Sequence, residues 1–348
     1  MEKKMRGKIV AAAVAACALA GGCTALAYGA NFMIFGRVEG FAPGAFYTYF
    51  TWDEIDQRRY RREETHFYSG RNRLQGFVYG MENDNGLVVI SHGLGGTADA
   101  YFPLIMFFVD NGWRVFAFNN TGVAGSEGRN MRGLSQAVID LDAALAFVRQ
   151  TSAFDELPVM IVGHSMGGYA ASAVLNFGHD VRAVVSAAAF NDPWEIFREQ
   201  GAQMAGGLFF LLSPHFRIVN RILFGGAARL SAIDGINKSG VPVMIVQCAD
   251  DELIRADTTS IYAHREKIAN PNVEIILRRG IGHEFVFSSP RQREYMARAA
   301  SSWREHSAGR EGASRLQWAR EVGFCKESAN ELDADLMARI NEFFLGAR

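Results

Sequence analysis

A Gly-x-Ser-x-Gly motif at residues 163–167 is the feature of this sequence that points most directly to chemistry. An apolar run, 158–162, precedes it, and a segment rich in small residues, 167–173, follows it. A strand, a sharp turn and a helix form the local structure in which such a motif presents its serine as a nucleophile. A tight turn needs glycine at its flanks, because a side chain there would collide with the backbone. Ser165 is therefore a candidate nucleophile; the alternative is a surface serine in an ordinary glycine-rich turn.

Two backbone N–H groups are candidates to stabilise the oxyanion that attack by a serine would create. Acyl transfer needs two donors aimed at the developing negative charge. One is the N–H of Met166, the residue after the nucleophile, and the other is the N–H of Leu94, in a glycine-rich turn that follows the apolar run 87–90. We interpret His92 in this turn as a brace for the loop, because backbone groups carry the chemistry at this position.

Acidic residues and a histidine follow two later apolar runs. The run that begins at Val241 leads to Asp250 and Asp251, and the run that begins at Val273 leads to His283. A serine hydroxyl is a poor nucleophile until a base takes its proton, and that base needs a carboxylate to fix its tautomer. The carboxyl ends of parallel strands meet at one edge of a sheet, so groups that are distant in sequence can converge there.

The elements that must position these groups alternate along the chain. Apolar runs of strand length and segments of helical pattern follow one another from about residue 65 onward. This alternation predicts a mostly parallel sheet with helices on both faces. The 348 residues are enough for one large α/β domain with a sizeable core and additions to it.

These motifs together resemble the α/β-hydrolase superfamily, in the branch of serine aminopeptidase-like and monoacylglycerol-lipase-like hydrolases. The resemblance covers about residues 65–284 and a last helix near 331–346, and it includes the loop 119–128. In that loop Asn119 or Asn120 stands where the family has an acidic residue, a departure that affects a structural loop. The resemblance implies the α/β-hydrolase fold and a serine hydrolase.

The resemblance also implies a role for each candidate residue. Ser165 would attack a carbonyl, His283 would take and return the proton, and Asp251 would orient His283, with a covalent acyl-enzyme as intermediate. The family spacing Gly-x-x-Asp-x-x-Val selects Asp251, with a cysteine in place of the glycine. Asp250 is an alternative for the acid, and Asp192, which follows an earlier apolar run, is a weaker one.

An insertion at about 191–240 lies where the family carries a cap. A bare crossover between strands needs far fewer residues. The insertion is rich in large apolar side chains, of which Trp194, Phe209 and Phe210 are the candidates to line an acyl pocket. The alternative is that its helices only cover the sheet. A second, polar and helix-prone insertion is expected at about 285–329.

An apolar cap favours a small-molecule or lipid-like carboxylic ester with an apolar acyl part as substrate. The same branch also contains peptidases that act on N-terminal residues. Such a peptidase would need acids in the cap to hold the free amine, and the cap offers Glu195, Glu199 and Asp234. A non-catalytic binding module on the same fold is a third possibility, which a complete set of serine, histidine and acid disfavours.

Composition argues against several other classes of function. A formal net charge of −1 makes no electrostatic case for nucleic acid. No Cys/His spacing indicates a zinc site, and no phosphate-binding loop of the nucleotide-binding kinds is visible. We therefore expect no cofactor and no metal. The four cysteines do not form a disulfide framework.

The N-terminal segment, 1–35, predicts a transmembrane anchor. Four basic residues lie within the first eight, and no residue from Ile9 to Phe35 is charged. About 20 apolar residues span a bilayer as a helix, and the basic flank should stay in the cytoplasm, with the catalytic domain outside. A signal peptide cleaved after Ala27 and a lipoprotein modified at Cys17 are the alternatives, and both would also export the domain.

A juxtamembrane segment, 36–64, is expected to join this anchor to the hydrolase-like domain, 65–348. Its many aromatic residues are typical of a membrane interface or of packing on the domain. Arginines at positions 58, 59, 61 and 62 predict either a solvated face or a contact with anionic lipid.

Overall fold

The computed structural model describes residues 2–40, 48–284, 286–308, 310 and 313–348, and eight strands of one sheet lie within them. The strands are β1 Arg62–Ser69, β2 Asn72–Tyr79, β3 Leu87–Ser91, β4 Arg114–Phe118, β5 Val159–His164, β6 Ala183–Ala187, β7 Val243–Cys248 and β8 Val273–Arg278. Their order across the sheet is β1-β2-β4-β3-β5-β6-β7-β8. Strand β2 pairs antiparallel with β1 and β4, and the other neighbours pair in parallel. The predicted mostly parallel sheet is confirmed.

Helices cover both faces of the sheet. They are α1 Glu2–Ile34, α2 Phe102–Asp110, α3 Gln136–Gln150, α4 Met166–Ala173, α5 Pro193–Phe224, α6 Ala232–Ser239, α7 Pro290–Ser307, α8 Arg315–Glu321, α9 Lys326–Ala329 and α10 Ala334–Gly346. Helices α3, α4 and α6 share an apolar cluster with one face, and α2 and α10 share a second cluster with the other face.

The central strands are apolar on both sides, as a sheet buried between two helical layers requires. In β5, Ile161 belongs to the cluster under α3 and α4, while its neighbour Met160 belongs to the cluster under α2 and α10. Val184 and Val185 of β6 divide between the faces in the same way. The apolar runs that predicted strands are therefore continuous, since successive side chains point to opposite faces.

The cap helix α5 is bent into two arms. The backbone of Gly206 leaves the helical region, with φ 51° and ψ −131°. The ring of Phe197 in the first arm lies 5.7 Å from that of Phe209 and 5.0 Å from that of Phe216, both in the second arm. A side chain at Gly201 would overlap the ring of Phe209, so a glycine allows the arms to approach closely.

Helix α1 packs on this cap with its C-terminal part. Ala27 is fully buried in a cluster with Phe209, Phe216 and Val219, and Thr24 Oγ1 lies 3.0 Å from His215 Nδ1. The outer face of the helix exposes large apolar side chains, namely those of Leu19, Leu26 and Met33. The part Cys17–Ile34 is long and apolar enough to cross a membrane, a property that membrane anchors and signal sequences share.

The chain after α1 is bound to the body of the fold, although residues 41–47 of the expected juxtamembrane segment lie outside the described residues. Val38 forms a β-bridge with Val123, and the Arg37 guanidinium donates to three carbonyls of the loop 124–128. Farther on, Arg59 pairs with Asp110 at 2.9 Å, and the Arg62 guanidinium lies over the rings of Trp52 and Phe77. Arg59 and Arg62, two of the four arginines at 58–62, therefore make contacts within the protein.

Candidate active site

Ser165 occupies a strained turn between β5 and α4. Its φ is 56° and its ψ is −120°, which is rare for a residue with a side chain, and its N–H donates to the Ala187 carbonyl at 2.8 Å. A side chain at Gly163 would overlap the backbone of Gly167, and one at Gly167 would overlap that of Ser91. The two glycines of the motif therefore allow the turn to close under the serine.

Ser165, His283 and Asp251 lie within hydrogen-bonding distance of one another in series. His283 Nε2 is 3.0 Å from Ser165 Oγ, and His283 Nδ1 is 2.8 Å from Asp251 Oδ2. The Asp251 side chain is fully buried, and its Oδ1 accepts from the N–H groups of Leu253 at 2.9 Å and Ile254 at 2.8 Å. This geometry lets Nδ1–H donate to the carboxylate while Nε2 accepts the proton of the serine hydroxyl.

The two alternative acids are engaged elsewhere. Asp250 Oδ1 accepts from the Gly280 N–H at 2.7 Å and lies 2.9 Å from Cys248 Sγ, and the hydrogen bond from this thiol lowers the pKa of the Asp250 carboxyl. Asp192 caps α5, because its Oδ1 accepts from the N–H groups of Trp194 and Glu195.

The two candidate oxyanion donors flank Ser165. Met166 is the first residue of α4, a position whose N–H has no partner inside the helix and lies at the positive end of the helix dipole. Leu94 belongs to the turn after β3, and a side chain added at its neighbour Gly93 would lie 3.3 Å from Ser165 Cβ. The turn is therefore packed against the candidate nucleophile.

A chain of hydrogen bonds connects this turn to the loop that carries His283. The Gly93 N–H donates to the Tyr101 hydroxyl, and that hydroxyl lies 2.9 Å from His164 Nδ1. His164 Nε2 lies 3.1 Å from the His283 carbonyl, which can only accept, so the proton of His164 is on Nε2 and Tyr101 donates to Nδ1. Burial lowers the pKa of His164 to about 4, which keeps its ring neutral.

His164, for which the sequence pattern predicted no function, bridges Tyr101 and the His283 carbonyl. The residue lies within the serine motif, where many side chains are compatible with the pattern, so the motif itself carries no sign of this contact. His92, by contrast, has the surroundings of the predicted brace. It is fully buried, lies 2.8 Å from the Gly93 carbonyl through Nδ1, and accepts from the Asn120 N–H through Nε2.

A cavity of about 720 Å³ opens above Ser165 and His283. Apolar side chains of the cap line most of it, including those of Ile196, Phe197, Phe209, Leu212 and Phe216. Of the described acidic residues, Glu284 lines the cavity, and its side chain is exposed. The volume and lining fit a ligand with an extended apolar part.

The three cap residues expected in the pocket have different positions. Phe209 is 4% exposed and lines the cavity, whereas Phe210 is 60% exposed and does not. Successive residues of a helix point about 100° apart, so these two neighbours cannot face the same space. Trp194 packs instead on the cluster between cap and α1, beneath the Arg217 guanidinium.

Comparisons with known proteins agree with this architecture. Residues 82–233 match the family model described as "Serine aminopeptidase, S33". The esterase Pf2001 of Pyrococcus furiosus superposes with a TM-score of 0.53 at 15% identity, over 82% of this chain and 96% of that one. The acylaminoacyl peptidase of Pyrococcus horikoshii gives 0.51 at 15% identity, over 74% of this chain and 43% of that one. The chain has the α/β-hydrolase fold and is a serine hydrolase. No curated protein shows a significant sequence match to the hydrolase.

The end of α1 and the residue that follows it form part of the cavity wall of the hydrolase, a contact that no sequence pattern predicted. Ile34 and Phe35 line the cavity, and the buried Phe35 ring stacks on that of Phe197 at 6.5 Å. The Phe35 carbonyl accepts from the Met131 N–H at 2.9 Å, which holds this residue against the body. The uncharged run that predicted an anchor contains no sign that its last residues would reach the site.

Within the described part of the hydrolase, no group of three or more His, Cys, Asp or Glu side chains could hold a metal ion. The buried carboxylate that contacts the site, Asp251, is occupied by His283 and by backbone N–H groups. The arrangement of side chains thus offers a nucleophile, a base and oriented backbone donors.

Proposed function

We propose that the hydrolase cleaves a carboxylic ester with an apolar acyl part, with Ser165 as nucleophile, His283 as general base and Asp251 as the orienting acid. The observation that carries this proposal is the series of contacts from Ser165 to Asp251 at the floor of an apolar cavity. Asp251 would hold the Nδ1–H tautomer and stabilise the charge that His283 acquires.

The reaction proceeds in two halves. His283 Nε2 takes the Ser165 proton as Oγ bonds to the ester carbon, and the N–H groups of Leu94 and Met166 bind the oxyanion. His283 then gives the proton to the leaving alcohol, and the carbon–oxygen bond breaks to leave an acyl-enzyme. In the second half His283 takes a proton from water, and the resulting hydroxide attacks the acyl carbon. The bond between that carbon and Ser165 Oγ then breaks as His283 returns the proton to Oγ, which releases the carboxylic acid and restores Ser165.

The lining of the cap favours a substrate with an apolar acyl group over one with a polar acyl group. The cavity wall provided by Phe197, Phe209 and Phe216 contributes aromatic surface and no charge. Burying one methylene group of a ligand is worth about 0.8 kcal/mol, or roughly a factor of four in binding. The energy gained should therefore rise with acyl length until the cavity is filled.

A peptidase that acts on N-terminal residues is the second candidate, favoured by the family model that matches. The expected amine-binding acids of the cap are occupied outside the cavity: Glu195 lies 3.0 Å from His264, and Glu199 accepts from Thr258. Asp234 does not line the cavity either. Glu284 would have to hold the amine, and its exposure to solvent weakens such an ion pair.

We further propose that α1 anchors the hydrolase in a membrane, with the catalytic domain on the extracytoplasmic side. The apolar length of α1 and its basic N-terminal flank support this orientation. The substrate would then be a small or lipid-like ester available at the outer surface of that membrane.

The decisive experiment uses the full chain in detergent with a fluorophosphonate probe, which labels an activated serine. Labelling of the wild type and none of Ser165→Ala is the expected result. Turnover of p-nitrophenyl esters from acetate to dodecanoate should rise with chain length, and aminoacyl p-nitroanilides should react poorly. Faster cleavage of the anilides, reduced by Glu284→Gln, would favour the peptidase instead.

A further inference from the structure

A second cavity, of about 440 Å³, lies between α1 and the body of the hydrolase. Tyr28, Asn31 and Phe32 of α1 form one side, and the β1–β2 turn and the loop 128–132 form the other. The described residues that line it are all different from those that line the acyl cavity. It is thus a separate site, with one wall made by the candidate membrane helix.

Two arginines without partners give this cavity a positive rim. The side chains of Arg71 and Arg129 line it, both residues are exposed, and neither makes an ion pair or a hydrogen bond within the described part of the chain. The nearby Arg132 guanidinium already donates to Gln136 Oε1 and to the Leu223 carbonyl. The free guanidinium groups are therefore those of Arg71 and Arg129, and they suit a phosphate.

The carboxylate behind the wall is occupied by the protein itself. Asp140 is fully buried and accepts from Ser69 Oγ, from the N–H and hydroxyl of Thr121, and from Gln136 Nε2. Its oxygen atoms thus bond to the residues of the wall. An anion in the cavity would meet these neutral side chains and not the carboxylate.

A buried acceptor in the same cavity lacks a donor. Asn31 is 2% exposed, and its Nδ2 donates to the Arg132 carbonyl at 2.8 Å. Its Oδ1 is buried without a hydrogen-bond partner in the part of the chain that the structure describes. A buried carbonyl oxygen that is left unpaired costs about 1–3 kcal/mol, and this one has almost no surface open to the cavity, so the ligand contacts must come from the rim.

The position of the cavity along α1 corresponds to the headgroup level of a bilayer. Tyr28 and Phe32 lie in the last two turns of the apolar part Cys17–Ile34, close to the end at which the chain would leave the membrane. Tyr28 and Phe32 are exposed aromatic residues on this stretch, and such residues favour the membrane interface. The cavity that they line would therefore open where phospholipid headgroups lie.

We propose that this cavity binds the headgroup of an anionic phospholipid, such as phosphatidylglycerol. The phosphate pairs with Arg71 and Arg129, and the acyl chains follow the apolar face at Tyr28 and Phe32. A zwitterionic lipid brings its own cation to the arginines and should bind more weakly. The anchoring of α1 proposed above supplies the lipid, but the cavity itself does not depend on catalysis.

Native mass spectrometry of the full chain in detergent micelles tests this assignment. Phosphatidylglycerol and phosphatidylcholine of equal chain length are titrated separately, and the bound fraction gives an apparent Kd for each lipid. An arginine near an anionic lipid contributes about a factor of five, so the double variant Arg71→Ala/Arg129→Ala should bind phosphatidylglycerol about 25-fold more weakly. Binding of phosphatidylcholine should change little.

Two matched variants and one soluble compound separate the outcomes. Arg71→Lys/Arg129→Lys should retain most of the affinity, and Arg61→Ala/Arg298→Ala, at two exposed arginines outside the cavity, should retain all of it. Unchanged affinity of the alanine double variant for phosphatidylglycerol would show that the lipid does not bind in this cavity. An equal loss of affinity in the remote variant would show the same. Equal binding of soluble glycerophosphoglycerol would show an anion site and reject the lipid. Ester hydrolysis, measured on the same samples, should be unaffected and reports separately on the proposed function.

Discussion

At the scale of single residues, neighbouring acids in one turn have opposite surroundings. Asp251 is fully buried and both of its oxygen atoms accept hydrogen bonds, one set from backbone N–H groups and one from His283. Asp250 is half-exposed and faces Gly280, Cys248 and Arg293. A difference of one position along the turn thus separates an acid that can orient the base from one that holds the loop.

The first prediction compares these two acids. Asp251→Asn should lower kcat by about 10⁴-fold, because an amide cannot hold the Nδ1–H tautomer of His283 in the same way. Asp250→Asn should change kcat less than tenfold, and Ser165→Ala should reduce turnover to background. The measurement is ester hydrolysis by the full chain in detergent, with thermal unfolding as a check on the fold. A larger loss of kcat in Asp250→Asn than in Asp251→Asn would show that Asp250, and not Asp251, is the orienting acid.

The second prediction concerns the buried His164 and the stability of the fold at acidic pH. Burial lowers the pKa of His164 to about 4, below the value near 6.5 expected in the unfolded chain. Its contribution to stability is therefore complete above about pH 6.5 and is lost as pH falls toward 4, because the unfolded chain binds the proton first.

Urea unfolding at pH 7 and pH 5 measures this effect. Replacing His164 by glutamine removes the titrating group and keeps a polar side chain of similar reach. The difference in unfolding free energy between the two pH values should then shrink by roughly 2 kcal/mol relative to the wild type. His66→Gln, at an exposed position on β1, is the control and should leave the pH dependence nearly unchanged. Equal pH dependence in His164→Gln and the wild type would mean that His164 is not the neutral, buried group described.

At the scale of elements, the bend at Gly206 turns one helix into a two-armed cap with an inner and an outer face. The inner face holds Phe209 against Phe197 and Phe216, and the outer face exposes Phe210 and Ile222. An exposed apolar surface of this kind is typical of contact with a membrane or another protein. The two faces can therefore be tested separately.

The third prediction uses adjacent phenylalanines as a matched pair. Phe209→Ser removes an aromatic ring from the cavity wall and should raise KM for octanoate or longer esters at least tenfold, with a smaller effect on acetate. Phe210→Ser changes an exposed ring and should leave both values near those of the wild type in detergent. Steady-state kinetics on the ester series provides the comparison. Equal effects of Phe209→Ser on short and long esters would indicate that the cap only covers the sheet.

The fourth prediction concerns the contribution of α1 to the same cavity. Phe35→Ala should weaken the cap, because it removes a buried ring that stacks on Phe197, and it should raise KM for long-chain esters severalfold. Met33→Ala is the control, since that side chain is 78% exposed on the outer face of the helix. Kinetics and thermal unfolding of both variants in detergent test this. Equal KM values and equal unfolding temperatures for the two variants would mean that Phe35 does not contribute to the cavity.

At the scale of the whole molecule, the helix that fits a membrane and the helices that form the acyl cavity are packed together. Ala27 and Thr24 contact the cap, and Phe35 continues into the cavity wall. Cleavage after Ala27 would remove the first two of these contacts from the mature protein. Whether the N-terminal segment is cleaved therefore affects how well the cap is packed above the site.

The fifth prediction tests the proposed membrane anchoring. Membranes washed with alkaline carbonate should retain the protein at its full mass, because an uncleaved α1 of this apolar length would span the bilayer. Protease added to intact spheroplasts should digest the catalytic domain while a cytoplasmic marker survives. A soluble product that begins at Tyr28 would demonstrate signal cleavage, and a domain protected from the protease would demonstrate the opposite orientation.

The sequence by itself determined the features that depend on local backbone rules. Glycines at 163 and 167 are required by a turn with no room for a side chain, and the succession of strands along the chain follows from short apolar runs separated by helical segments. The ends of those runs therefore predicted which side chains could meet at one edge of the sheet. The resemblance of these same motifs led to the correct fold and to a serine hydrolase.

Tertiary structure decided what depends on contacts between distant segments. Which of Phe209 and Phe210 faces the cavity depends on the rotation of a cap arm, and adjacent apolar residues do not reveal it. The hydrogen bonds of His164 join three loops whose proximity no local pattern encodes. The packing of α1 on the cap is of the same kind, because an uncharged helix looks alike in sequence whether lipid or protein covers it. Side-chain direction and partner choice are settled by packing, which is a property of the whole fold.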